Sequence, residues 1–425
     1  MNLKLLLTGN ELMTGDTLDS NSAMMAKLCL DMGIQVSYKA TVSDDLDQLV
    51  NEITRLSSSA DILIVNGGLG PTSDDLTAEA LAIAMGVALE EHPTALKHLH
   101  EWCEKRNYKL SQANRKQALL PKGVDIIANE NGSAVGFMTR LNHCLVFCTP
   151  GVPHELKTMM VQEILPQLSE KLPNTQQTKR VRFRVFGYGE SNLQELITKT
   201  FPNWPKPLEL GFRASMPLLE LKLKVDHEAD HQLLNDWQAH IKALIGAHIV
   251  TDDNRTLAKV VVDLLAQQHK TITLAESCTG GKIASLITEV SGASSVFEAG
   301  FVSYSNTIKT KILDVSEKDL LEQGAVSETV VRQMLTGALK ASGADVGISV
   351  SGIAGPHGGT EDKPVGTVFL AWGSLNSMQA RAFYFPGNRL FFQQIVSALA
   401  LDLIRRDLLK IKEAPIYFTE RKSRK

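Results

Sequence analysis

Thr273-Leu274-Ala275-Glu276-Ser277-Cys278-Thr279-Gly280-Gly281-Lys282 is the stretch on which the reading of this chain turns. It sets a serine at the end of an apolar run, Ile272 to Ala275, and just before two glycines that open a helix-patterned segment. Strand, tight turn and helix in that order predict an α/β fold with its ligands at the carboxyl ends of the strands. Such a turn holds a side-chain nucleophile within reach of a substrate. The amides at the helix start, near Thr279 to Gly281, are then close enough to stabilise developing negative charge. A lysine follows at Lys309, behind the tight segment Tyr304-Ser305-Asn306. Serine paired with a lysine base activates a hydroxyl for acyl transfer, so the pattern points to a covalent amidase. Ser277 read as a mere helix cap, Lys309 as a surface lysine, and Cys278 as a rival nucleophile are the competing readings. A P-loop is rejected, because the earlier glycine and the Ser/Thr after Lys282 are missing.

Two further segments converge on the same end of the sheet. Val346 to Ser351 reads as a buried strand, and Ser351-Gly352-Ile353-Ala354-Gly355-Pro356 with Gly358-Gly359 as the loop leaving it. Lys363-Pro364-Val365-Gly366-Thr367 precedes a strand-like Val368-Phe369-Leu370. Glycine-rich turns after strands let backbone amides approach a phosphate or an oxyanion closely.

Upstream, the chain alternates short apolar runs with helix-periodic stretches. Lys4–Leu7, Gln35–Val42 and Ile62–Val65 read as strands, and Ser22–Met32 and Leu46–Ser57 as helices. This predicts a doubly wound, mostly parallel sheet over residues 1–168. Pro166 to Arg180 reads as a linker. A small α+β module with a two- or three-stranded sheet is expected over 180–250, with turns at Gly187-Tyr188-Gly189-Glu190 and Gly211-Phe212-Arg213. The βα rhythm returns over 255–412. The expected architecture is two doubly wound α/β domains joined by a small α+β module.

Composition bounds the classes. Hydrophobic content of 44% with 21% charged residues is that of a globular protein. A formal charge of −3 offers no electrostatic footprint for nucleic acid. Five scattered cysteines lack zinc-site spacing and read as free thiols in a reducing compartment. No apolar run approaches the ~20 residues of a membrane span. The expectation is a cytoplasmic protein with no nucleic-acid and no membrane partner.

The N-terminal loops carry a second constellation. Asn66-Gly67-Gly68-Leu69-Gly70-Pro71-Thr72-Ser73-Asp74-Asp75 follows a strand and opens a helix. Its glycines admit a phosphate, and Asp74 and Asp75, with Glu11 from the loop after the first strand, are acceptors suited to a divalent cation. An N-capped helix with acids in its first turn is the alternative. Asn10, Gly67, Gly68, Gly70 and Thr72 are the candidate phosphate-binding positions.

Over residues 255 to 412, the motifs AESCTGG, FVSYSN…K and SGIAGP…GG…KPVGT resemble the nicotinamide-nucleotide amidase domain of the competence/damage-inducible CinA family. The resemblance implies a dyad of Ser277 and Lys309, with Tyr304 beside it, that converts nicotinamide mononucleotide to nicotinic acid mononucleotide without a cofactor. It also implies a phosphate partner at Arg389, in a turn that here reads Gly387-Asn388-Arg389 with asparagine in place of aspartate. Thr279, Gly280, Gly281, Asn306, Ser351, Gly352, Gly355, Gly366 and Thr367 are the other candidate substrate contacts. Residues 1 to about 165 resemble the molybdopterin-binding-like domain of full-length CinA proteins. That likeness rests on the loops quoted above, with Asn114, Gln117, Ala118, Asn131-Gly132 through Gly136-Phe137, and Pro150-Gly151-Val152-Pro153 with Glu155. It implies metal-dependent ADP-ribose pyrophosphatase activity and a homodimer; a non-catalytic molybdopterin-type ligand binder and a competence or DNA-damage interaction protein are the alternatives. Asn66 stands where that motif usually has threonine, Thr149 where leucine is usual, and Val135 where proline is common.

Overall fold

The computed structural model describes residues 2–170, 178–253 and 255–421. These fall into two compact units, one ending at residue 177 and the other beginning at 178. The first is built on a six-stranded sheet in the order Val36–Val42, Leu3–Thr8, Ile62–Asn66, Cys144–Thr149, Gly136–Leu141, Asp125–Ile127. The first four strands run parallel and the last two antiparallel. Alternation along the central strands sends Leu6, Leu63, Val65 and Val146 into one core and Leu5, Leu7, Ile62, Ile64 and Phe147 into the other. Both faces are therefore covered by helices, as near-continuous apolar strands require.

The expected linker is partly helix. The helix Pro153–Met159 widens to a π turn over Met160–Ile164 and continues as Leu165–Glu170, burying Leu168. Pro166 has no N–H for the usual helical bond, and the wider turn ahead of it lets the helix pass. Residues 171–177 of that linker lie outside the described residues, and by Lys179 the chain is already in a strand.

The second unit holds two sheets. The smaller has four antiparallel strands, not two or three, ordered Glu209–Ser215, Leu218–Val225, Lys179–Val185, Ile249–Thr251. Gly211-Phe212-Arg213, expected as a turn, lies mid-strand with Gly211 opposite Lys222; the chain reverses at Met216-Pro217 instead. The larger sheet runs Phe297–Val302, Ile272–Glu276, Val346–Gly352, Thr367–Ser374, Ser377–Tyr384, three parallel strands followed by an antiparallel hairpin. Helices Leu257–Gln267 and Arg389–Leu408 cover one face and Glu328–Ser342 the other.

One buried carboxylate ties these two sheets together. Asp402 is fully buried and accepts hydrogen bonds from Arg405 Nε (2.8 Å), Arg406 Nε (2.8 Å) and the Tyr417 hydroxyl (2.7 Å). Arg405 also donates to the carbonyl of Ala247 at 3.0 Å, and the Phe186 ring meets Tyr417 edge-on at 5.6 Å. A buried acid facing two guanidinium groups is tolerated because every polar atom is paired. Among the described residues no helix is long and apolar enough to cross a membrane.

Candidate active site

Ser277 follows the last residue of the strand Ile272–Glu276, and its amide donates to the Val350 carbonyl of the neighbouring strand at 3.0 Å. The turn that follows is left-handed at Gly280 (φ +64°) and Gly281 (φ +92°), a conformation open to glycine at little cost. Cys278 turns into the core under the helix Arg389–Leu408, and Gln393 of that helix donates to its carbonyl at 2.9 Å.

Glu276 is the residue that sequence reasoning passed over. Its carboxylate is buried and accepts from the amides of Gly281 (3.0 Å), Ile283 (3.2 Å) and Ala284 (2.8 Å), so the chain supplies its own anion to the start of the helix Lys282–Thr288. The Gly280 amide meanwhile donates to the Ser277 carbonyl at 3.2 Å. The amides of Gly280 and Gly281, expected to face an oxyanion, are thus engaged inside the turn itself. An acid one residue before the serine, followed by two glycines, was the available signal.

Lys309 lies in the first turns of the helix Asn306–Leu313, capped by Ser305, and is 1% exposed. Its Nζ sits 3.1 Å from Ser277 Oγ, 2.7 Å from the Ser303 carbonyl and 3.1 Å from the Tyr304 carbonyl. Burial holds this amine below the ordinary lysine range. Burial also pushes the Cys278 thiol up to about 12, which leaves it protonated and unreactive.

Tyr304 reaches the dyad only through its carbonyl; its ring is 62% exposed and its hydroxyl accepts from Arg389 Nη2 at 3.1 Å. Arg389 also donates to the Gly355 carbonyl at 3.2 Å, which brings three predicted positions into one group. Asn388 caps the helix by accepting from the Phe391 amide at 2.9 Å, a task that asparagine performs as well as aspartate. Ser351 donates its hydroxyl to the Ala325 carbonyl at 2.7 Å, and Asn306 is exposed at the helix start. Gly366 donates to the Ile353 carbonyl at 2.8 Å, and Gly352 pairs with Val368, so these glycines join the loop Ile353–Val365 to the sheet. Three hydroxyls here, on Thr279, Ser303 and Thr367, are buried without a hydrogen-bond partner. Thr279 and Thr367 were expected site residues; Ser303 was not, though it lies within the FVSYSN motif.

The N-terminal loops are assembled differently. Gly67 takes φ +111°, and a Cβ there would lie 2.6 Å from the Thr8 carbonyl, so the turn admits only glycine. Thr72 donates its amide (2.8 Å) and its hydroxyl to Asp75, making a predicted phosphate binder and a predicted metal ligand each other's partners. Asn10 donates its amide to Asp44 at 2.9 Å and accepts from the Asp44 amide at 3.3 Å. Asp74 is exposed. Among the described residues no group of three or more His, Cys, Asp or Glu gathers as a metal site, so Glu11, Asp74 and Asp75 do not form the expected set.

Other polar groups surround the loop. Lys116 Nζ donates to the Thr72 carbonyl, and Gln117 Nε2 to the Leu69 carbonyl at 3.3 Å. Asn21 Nδ2 donates to Asn66 Oδ1 (2.9 Å) and to the Gly151 carbonyl (2.6 Å). Asn66 in turn donates to Thr149 Oγ1 (3.1 Å) and the Pro150 carbonyl (2.7 Å). Two of the three departures from the family motif, Asn66 and Thr149, are therefore bonded to each other. Gln117 Oε1 and Asn21 Oδ1 are buried and unpartnered.

A family model for the CinA C-terminal domain matches residues 254–408, and one for a probable molybdopterin binding domain matches residues 4–170. Fold and motifs together define a two-part α/β protein, a molybdopterin-binding-like domain followed by a CinA C-terminal domain. The chain is 52% identical over 422 residues to the CinA-like protein of Colwellia psychrerythraea, spanning 99% of this chain and 98% of that one. It is 39% identical over 415 residues to the CinA-like protein of Citrifermentans bemidjiense, spanning 98% and 99%. This chain belongs to the CinA family. Among solved structures, the competence/damage inducible protein CihA from Agrobacterium tumefaciens is 37% identical, covering 36% of this chain and 93% of its own, with a TM-score of 0.35.

Proposed function

We propose that the C-terminal domain hydrolyses the carboxamide of nicotinamide mononucleotide to give nicotinic acid mononucleotide and ammonia. The observation that supports this reading is a buried lysine amine 3.1 Å from the Ser277 hydroxyl. A neutral amine has two hydrogens and one lone pair. The carbonyls of Ser303 and Tyr304 accept the two hydrogens, which leaves the lone pair for the Ser277 proton. Ser277 Oγ attacks the amide carbon as Lys309 takes that proton. The protonated lysine gives it to the departing amine, releasing ammonia and an acyl-serine. Lys309 then accepts a proton from water, which attacks the ester and returns Ser277. Arg389, steadied by Tyr304 and Gly355, pairs with the 5′-phosphate.

The N-terminal domain, on this reading, takes a phosphate-bearing ligand and splits ADP-ribose at its diphosphate. The spare hydrogen-bonding capacity of Asn21 and Gln117 beside the glycine loop, with the Lys116 cation, favours a ligand there. No metal step is assigned, because the expected carboxylates do not gather.

The test is direct. Purified protein is incubated with nicotinamide mononucleotide, with no metal added, and ammonia is measured. Wild-type release that vanishes in Ser277→Ala supports the dyad; no release by wild type ends this reading.

A further inference from the structure

A tetrahedral intermediate on Ser277 carries a full negative charge, and a low-dielectric site must meet it with donors already in place. The amides from Gly280 onward, the obvious donors at the helix start, are already engaged. Glu276 occupies the amides of Gly281, Ile283 and Ala284, the Gly280 amide serves the Ser277 carbonyl, and the Lys282 amide serves the Thr279 carbonyl at 3.2 Å. The amides from Gly280 to Ala284 are thus satisfied before any substrate arrives.

Thr279 lies two residues past the nucleophile, is 3% exposed, and its hydroxyl has no partner. A buried hydroxyl without a hydrogen bond costs stability, about 1–3 kcal/mol in typical cases, and its presence beside a nucleophile calls for a reason. Cys278, between the two, turns into the core. Only a donor is wanted beside the nucleophile: a carboxylate would repel the intermediate, and a cation would compete with the substrate's pyridinium ring. A hydroxyl meets both conditions.

We infer that the Thr279 side chain is an oxyanion donor of this site, taking the place that the Gly280 and Gly281 amides vacate. The inference rests on the amidase reading above. Its O–H donates to the oxygen of the former carboxamide as that oxygen becomes an alkoxide, and the bond relaxes when the carbonyl re-forms. No atom is transferred through it.

Thr279→Val removes the hydroxyl and keeps the shape, and Thr279→Ser keeps the hydroxyl and drops the methyl. Ammonia release from nicotinamide mononucleotide is expected to fall about 100-fold in kcat for Thr279→Val, with KM within a few-fold of wild type. Thr279→Ser is expected to stay within about tenfold of wild-type kcat, on the ground that it keeps the donor. A second readout needs no knowledge of the substrate. A fluorophosphonate forms a tetrahedral adduct on a nucleophilic serine, and its rate of labelling Ser277 is expected to fall in Thr279→Val and to recover in Thr279→Ser. Wild-type kcat in Thr279→Val, or equal losses in the valine and serine variants, overturns the inference. Labelling that depends on the Thr279 hydroxyl, with no ammonia from wild type, keeps the inference and removes the substrate reading. A wild-type Ser277 that resists labelling removes both.

Discussion

The two candidate sites, one in each unit, handle charge in opposite ways. In the C-terminal site the reacting pair is in contact, with Lys309 buried and its amine touching Ser277. In the N-terminal site the carboxylates are exposed or paired with local donors, Asp75 with Thr72 and Asp44 with Asn10. A base that must be neutral gains from being dry, so the protein builds that site from its own atoms. Groups that must stay charged gain from water, and a cluster of them is stable only when an opposite charge arrives. Preassembly is thus a property of the chemistry each site requires.

The sharpest way to break the comparison is at the nucleophile. Ser277→Ala is expected to lower ammonia release by about 10⁴-fold or more, the scale on which nucleophile removal acts. Cys278→Ala is expected to stay within about tenfold of wild type, since its thiol is buried and protonated. The reverse result would move the nucleophile one residue along.

Lys309 offers a test with two opposing readouts. Lys309→Arg is expected to abolish activity, because a guanidinium does not lose its proton at working pH. In wild type, activity is expected to rise with pH through the Lys309 value and hold above it, since only the neutral amine accepts a proton. Stability follows the same sign. The unfolded chain binds a proton that the native state holds weakly, so native stability rises with pH between the lowered folded value and the ordinary lysine value, and the penalty is fully present below both. Lys309→Met carries no such penalty. It is expected to melt above wild type near neutral pH, with the gap closing as pH rises; a melting difference that ignores pH would contradict a lowered lysine.

On the other side, Asp75→Ala, which frees the Thr72 amide and hydroxyl of the glycine loop, is expected to reduce ADP-ribose cleavage by roughly tenfold, the scale of a lost hydrogen bond to a charged group, while ammonia release is unchanged. Equal loss of both activities would point to unfolding rather than to a site. The smallest effect concerns the Asn66–Thr149 bond. A double-mutant cycle of Asn66→Ala and Thr149→Val, read by chemical denaturation, is expected to show a coupling of about 1 kcal/mol. Simple additivity would mean that these two of the three departures from the family motif are unrelated.

Much of this was legible in the chain. Period and punctuation located the parallel strands, and the order of serine, glycines and lysine brought Ser277 and Lys309 together across 32 positions. What escaped notice depended on three-dimensional pairing. Glu276 reads as one more polar residue at a strand end until its oxygens are seen on three amides. Asn66 and Thr149 are 83 positions apart, and strand pairing alone joins them. Gly211 looked like a turn because glycine often marks one, yet its strand was set by the reversal at Met216-Pro217. The acids of the first unit were read as a set because they were near in sequence or motif, and among the described residues they do not gather.

The Asp402 cluster has a consequence for where the second unit can be divided. The family match ends at residue 408, yet the carboxylate inside it is shared with Tyr417, and its arginine partner Arg405 reaches back to Ala247. A fragment trimmed to residues 254–408 would strip the Tyr417 hydroxyl from Asp402 and the Ala247 and Ile249 carbonyls from Arg405, in a newly wetted seam. The evolutionary module and the mechanical module therefore have different edges, and a shortened form of this chain would have to be cut at the mechanical one to keep its fold.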